Sequence, residues 1–211
     1  MMRALDETTA ALVMLAAAIA AGDADAIRAG VSRAMAAGAP ALAVDELVLQ
    51  SVLTVGWPRA LVAAEIWRSV VTAPAVTADA DADYDRHEAW ARRGEVTCRT
   101  IYGDRYDQLR RNVRALHPAL ETWMVVEGYG RTLARPGLSL DTRELCTVAQ
   151  IAVLDAPRQL HSHLLGALRA GASPAAVGET LDAVQQFVSP EGQSRAAALW
   201  QRVRQRWEST P

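Results

Sequence analysis

Aromatic side chains make up only 5% of this 211-residue chain, and no long run alternates apolar and polar residues with period two. With alanine abundant, those absences argue against sheets and for closely packed helices, so an all-α fold is expected. There is no CxxC motif. The two cysteines, Cys98 and Cys146, lie far apart, which excludes a disulfide framework and a zinc-ribbon spacing and fits a reducing cytoplasm. A basic stripe and a block of like charge are also lacking, and the formal net charge is −2. Nucleic acid is therefore not an expected partner. "ALVMLAAAIAAG" (Ala11 to Gly22) has the look of a signal-peptide core, but Asp6 and Glu7 stand where positive charge belongs. It is also too short to cross a bilayer as a helix, so a buried helix and no membrane partner are expected. What is present is a 51% apolar composition. That suits one compact domain, or two small ones sharing a core.

The chain repeats itself. Gly38 follows "SRAMAA" and Gly171 follows "LGALRA", an offset of 171 − 38 = 133, and this shift aligns residues 8–70 with 141–203 without a gap. Ala34, Ala37, Gly38 and Ala39 fall on Ala167, Ala170, Gly171 and Ala172; Glu46 falls on Glu179, and Trp67 on Trp200. Glycine, glutamate and tryptophan matching in one register indicate a duplicated helical unit, with the tryptophans in the core. Each unit reads as a helix, a break, a second helix ending at glycine, a third helix, and a fourth carrying the tryptophan. In the second unit Asp141 and Thr142 are expected to cap a helix beginning near Arg143. Pro157 suits a first turn, Gly171 a left-handed cap, and Ser173-Pro174 a restart. The first unit has Gly22-Asp23, Gly38 and Pro40 in those places. Residues 1–70 form the first unit, 71–85 a Pro-containing acidic linker, and 86–211 the second unit.

The run "EGYGRTLARPGLSLDTRELCTVAQIAVLDAPRQLHSHLLGALRAGASPAAVGETLDAV" resembles the carboxymuconolactone decarboxylase family, relatives of alkylhydroperoxidase D. The resemblance rests on Glu127, Tyr129-Gly130, Arg135 to Leu138, Arg143-Glu144-Leu145, His163, Gly171 and Pro174, and "RRGEVTCRTIYGD" looks like the family's lead-in. It implies two tandem alkylhydroperoxidase D-like units paired within one chain, and a homotrimer imitating a six-unit ring. The family's peroxidase branch places a CxxC pair 12 and 15 residues after a helix glutamate and a histidine 19 after it. Counting from Glu144 reaches Ala156, Gln159 and His163, so the Glu and His are kept and both cysteines are gone. Thiol-based peroxide reduction needs an attacking thiolate and a resolving partner. The decarboxylase-like branch, a lyase chemistry on a small carboxylated or lactone substrate without cofactor or metal, is what the resemblance implies.

Such chemistry needs a proton carrier, a donor for developing negative charge, and a cation for substrate carboxylates. A histidine titrates near neutrality, which suits His163, with Glu144 as its partner. Arg143 or Arg135 would grip a carboxylate, since a guanidinium matches it bidentately. Glu127, an acid within apolar "WMVVEGYG", is a further candidate for the substrate site. Structural alternatives stand beside these roles. A carboxylate in the first turn of a helix is favoured by the dipole anyway, helix histidines are often structural, and the arginines have ion pairing as their ordinary use. His161 and His163 lie about 200° apart on a helix at roughly 100° per residue, which argues against one metal between them. The offset maps His163 to Gly30, Glu144 to Ala11 and His161 to Arg28, so the first copy lacks the candidate groups and His161 reads as a bystander. "VGWPRA" in the first unit is closer to the family's Gly-x-Pro segment than "VSPEGQ" in the second. If "VSPEGQ" lines the pocket, the family's substrate does not carry over. Two rival readings remain: a non-catalytic helical assembly protein, and a one-cysteine peroxide activity through Cys146.

Overall fold

The computed structural model describes residues 4–71 and 78–209. Residues 72–77 of the expected linker, like 1–3 and 210–211 at the ends, lie outside the described residues. The described chain is helical without strands. In the first unit α1 spans Glu7–Ala21, α2 Ala24–Ala36 and α3 Ala41–Val70. Two intervening helices follow, α4 (His87–Tyr102) and α5 (Tyr106–Leu116). Helix α6 (Pro118–Trp123) runs on as wider π-helical turns over Met124–Leu133. The second unit holds α7 (Leu140–Val153), α8 (Pro157–Arg169), α9 (Pro174–Ala183) and α10 (Pro190–Glu208).

The punctuation matches the residues that cause it. Asp6 accepts from the Thr9 amide and Asp23 from the amides of Asp25 and Ala26, which satisfies helix-start N–H groups. Gly22 and Gly38 take positive φ, and Gly171 does the same in the second copy. One boundary differs from expectation. Helix α7 starts at Leu140, with Ser139 rather than Asp141 or Thr142 in the cap position. A second difference concerns α3, which carries both the third and fourth helices of its unit across a break at Gly56 (φ 72°, ψ 173°) just before Trp57-Pro58. Although α3 is 30 residues long and apolar, the break leaves Ala41–Val55 and Trp57–Val70. Each piece is shorter than the roughly 20 residues a spanning helix needs.

The two copies pack about a pseudo-twofold. Helix α1 lies against its own repeat partner α7, while α1 touches α9 and α7 touches α3 in return. Being central, α1 is buried from Ala11 to Ala20 on nearly every side, with Leu12, Leu15 and Ile19 wholly enclosed. Each such side chain contributes about 1.5–3 kcal/mol of burial, so the signal-like run is the core of the domain. Trp67 and Trp200 are buried as the repeat implied. The matched glutamates do matching work. Glu46 reaches across to Arg143 and Arg135 at the entry to α7, and Glu179 accepts from the amides of Ala4 and Leu5 at the entry to α1.

Candidate functional site

The site is assembled from three parts of the chain. Helices α7 and α8 are antiparallel neighbours, so Glu144 near the start of α7 meets His163 in the middle of α8. Nδ1 of His163 lies 2.9 Å from Oε2 of Glu144. Glu144 is wholly buried, and the His163 side chain keeps 13% of its surface. A carboxylate offers only lone pairs, so Nδ1 carries the shared proton and Nε2 is the nitrogen left for other work. Gly166 makes the contact possible, because a Cβ there would stand 2.5 Å from Glu144 Oε2 and 2.8 Å from Ile101. The other oxygen, Oε1, is buried without a hydrogen-bond partner among the described residues.

His163 opens onto a cavity of about 510 Å³ between the units. Its walls are mostly apolar, with Leu53 from α3, Trp123 and Met124 from the α6 segment, and Ile151 and Leu154 from α7. Polar groups enter at separate points: Gln50 and Thr54 of α3, Thr147 of α7, Gln159 of α8, Glu127, and the tyrosines Tyr102 and Tyr129. An i→i+5 turn is wider than an α-turn. Met124, Tyr129 and Leu133, spaced by five and four, thereby share the cavity wall. Two glycines let this segment close on α4: a Cβ on Gly94 would overlap the Val125 carbonyl, and one on Gly130 the Trp90 carbonyl. Tyr102 at the end of α4 is thus brought to Tyr129, and the Tyr129 hydroxyl donates to that of Tyr102 at 2.9 Å. Burial pushes the Tyr102 phenol up to about 12 and that of Tyr129 well above its ordinary value.

The candidates from the sequence divide. Glu144 and His163 come together, and Glu127 shares the cavity wall, paired to Arg131 at 3.1 Å. Arg143 and Arg135, expected to grip a substrate carboxylate, are not among the residues lining this cavity. Arg143 is fully buried and donates to Glu46 at 2.8 Å, to Gln50, and to the carbonyls of Leu138, Arg135 and Pro136. Arg135 forks onto Glu46 (2.9 Å) and Asp79 (2.5 Å). Glu46 pulls both pKa values upward, yet their net shifts are opposite. Burial dominates at Arg143 and lowers its pKa against the pull of Glu46, whereas at Arg135 the Asp79 bond leads and raises it. Both arginines fasten the first unit to the entry of α7.

His161 is half-buried away from this cavity, its pKa lowered by burial and then by Arg206, Arg105 and Arg202. Among the described residues no cluster of His, Cys, Asp and Glu has the grouping of a metal site. Cys146 is fully enclosed and burial pushes its thiol up to about 12, so it is not a thiolate at neutral pH. Residues of "VSPEGQ" border a separate cavity of about 300 Å³ near Trp200, not the one at His163. The sequence reading missed Gln50, Leu53 and Thr54, because the copy without the Glu–His pair looks purely structural. It also missed Tyr102, although the "IYGD" that carries it was in view.

Comparison with known proteins agrees with the repeat. A family model described as the carboxymuconolactone decarboxylase family matches residues 2–69 and 119–202, more than two thirds of the chain. Helices α4 and α5 fall between the matched stretches, so the second match begins well inside the unit expected from residue 86. No curated protein matches the sequence.

Proposed function

The chain belongs to the carboxymuconolactone decarboxylase family, and from that premise we propose that it is a cofactor-independent acid/base enzyme acting on a small lactone or carbonyl compound. The observation that carries the reading is the Glu144–His163 pair at 2.9 Å, with the imidazole facing the 510 Å³ cavity. Glu144 fixes the ring and its tautomer through Nδ1; Nε2 moves a proton from one substrate carbon to another in an isomerisation, or, when protonated, gives its proton to the carbon that CO₂ leaves in a decarboxylation. Glu144 acts through His163 and is a positioning residue. Replacing His163 by Ala and assaying carboxymuconolactone and related keto-lactones tests the reading, since general acid/base catalysis is worth about 10²–10⁴-fold. Undiminished turnover would remove His163 from the mechanism.

The rival of a non-catalytic assembly protein rests on the missing Glu and His in the first copy. That copy nevertheless supplies Gln50, Leu53 and Thr54 to the cavity wall, as half of one site built by both units does. A peroxide activity through Cys146 has no support in a fully enclosed thiol. Assembly into a homotrimeric ring is part of the proposal. Its support is the exposed apolar row on α3, with Leu53, Trp57 (66% exposed) and Leu61, beside exposed Trp123. Light scattering that finds only monomer at micromolar concentration would refute it. Cytoplasmic residence fits two free, buried thiols.

A further inference from the structure

We propose that the cavity at His163 takes a neutral, largely apolar carbonyl compound in preference to a di- or tricarboxylate, and that the Tyr102 hydroxyl holds its carbonyl oxygen. This rests on the acid/base reading of His163 and adds the substrate class and the oxyanion donor.

The argument begins with cations. The chain contains no lysine, so side-chain cations must come from arginine or histidine. Among the described residues no arginine lines the cavity. Arg143 and Arg135 are consumed by Glu46 and Asp79. Arg131 lies behind Glu127, bonded to it, to the Tyr84 hydroxyl (3.0 Å) and to the Asp81 carbonyl (2.9 Å), with its guanidinium 4.8 Å from the Trp90 ring centre. The acidic groups at the site are Glu127 in the wall and Glu144 behind His163. A substrate with two or three carboxylates would leave water, meet like charge and find no guanidinium to repay the loss. A neutral ring with one carbonyl needs only apolar walls and a donor for its oxygen.

Tyr102 is built to be that donor. It lines the same cavity as His163, and its oxygen already accepts from Tyr129, which leaves its own O–H to give. A hydroxyl that accepts a hydrogen bond is polarised into a better donor. Burial keeps both phenols protonated at neutral pH. The step then balances within the site. The C–H bond next to the carbonyl breaks and its proton passes to His163 Nε2. The C–H electron pair becomes the new C=C bond as the carbonyl π pair moves onto oxygen, where the Tyr102 O–H meets the enolate. The His163 proton then returns to a conjugated carbon, which shifts the double bond with no atom lost. Tyr102 lies on α4, between the two stretches matching the family.

The test is calorimetric titration of the full chain with carboxymuconolactone and with its dimethyl ester, which share a skeleton and differ in charge. The ester is expected to bind at least ~10-fold more tightly, a difference of about 1.4 kcal/mol. Tyr102→Phe is expected to weaken ester binding about 3- to 10-fold, the range for losing one net hydrogen bond. Tighter binding of the diacid, or wild-type ester affinity in Tyr102→Phe, would overturn the assignment. If that variant does not fold by circular dichroism, 2-tetralone against tetralin on the unaltered protein decides the donor, since a ketone only accepts. Preference for the ketone supports Tyr102, and equal affinity overturns it. These are binding readouts and are expected to persist in His163→Ala. Full turnover in His163→Ala with the ester preference intact would remove the acid/base reading and leave the pocket assignment standing.

Discussion

Glu46→Ala is the perturbation that most directly tests the structural assignment of the two arginines. Glu46 is 1% exposed and receives Arg143 at 2.8 Å and Arg135 at 2.9–3.1 Å. Truncating it leaves the Arg143 guanidinium, wholly enclosed, with only Gln50 and three carbonyls as partners. It also leaves two cations facing each other with Asp79 and Asp81 against one of them alone. An exposed ion pair is worth at most about 1 kcal/mol, but removing one partner of a buried pair costs about 3–5 kcal/mol. For a chain of this length each kcal/mol moves Tm by about 2–4 °C, so a fall of roughly 6–20 °C is expected. Thermal unfolding followed by circular dichroism reads it. The double variant Glu46→Leu with Arg143→Met is expected to be more stable than Glu46→Leu alone, because the penalty is an orphaned charge; with the Arg143→Met single variant the cycle isolates it. A loss below about 1 kcal/mol for Glu46→Ala would refute the reasoning, because a surface pair would then account for it and the arginines would be free to serve a ligand.

Two further outcomes follow from close packing and burial. Gly130→Ala would drive a methyl into the Trp90 carbonyl at the α4 crossing; a loss of about 1–3 kcal/mol in urea unfolding is expected from overpacking, with weaker ester binding as Tyr129 shifts, and a wild-type midpoint would contradict the crossing. Native Cys146 is expected to resist thiol reagents at pH 7–8 and to react once the chain is unfolded. Its pKa is raised from 9.0 to about 12 by burial, so the stability it lends is complete below pH 9 and is lost as pH rises from there toward 12. Fast native labelling of Cys146 would refute this.

Much of the fold is legible in local chemistry. Gly22, Gly38 and Gly171 mark helix ends because a left-handed cap favours glycine, and Ser173-Pro174 marks a restart because a proline loses nothing in a first turn. The 133-residue offset paired Glu46 with Glu179 and Trp67 with Trp200 before any contact was known, since residues doing the same job in two copies keep the same register. The spacing of Glu144 and His163 singled out the pair that α7 and α8 bring to 2.9 Å.

Other properties belong to the tertiary structure. Arginine looks the same in a sequence whether it meets a substrate or a neighbour, and only packing shows that Glu46, from 97 residues away, has taken Arg143. The 3.6-residue period gives no warning of the π-helical turns that carry Tyr129 into the cavity wall, nor of the close approach of Gly94 and Gly130 at the crossing with α4. The sequence alone determined a duplicated all-α chain with one Glu–His pair, because periodicity and capping are local. The cavity, the absence of arginine from its lining among the described residues and the meeting of Tyr102 with Tyr129 were decided in three dimensions, because they depend on which groups from distant segments have already used one another.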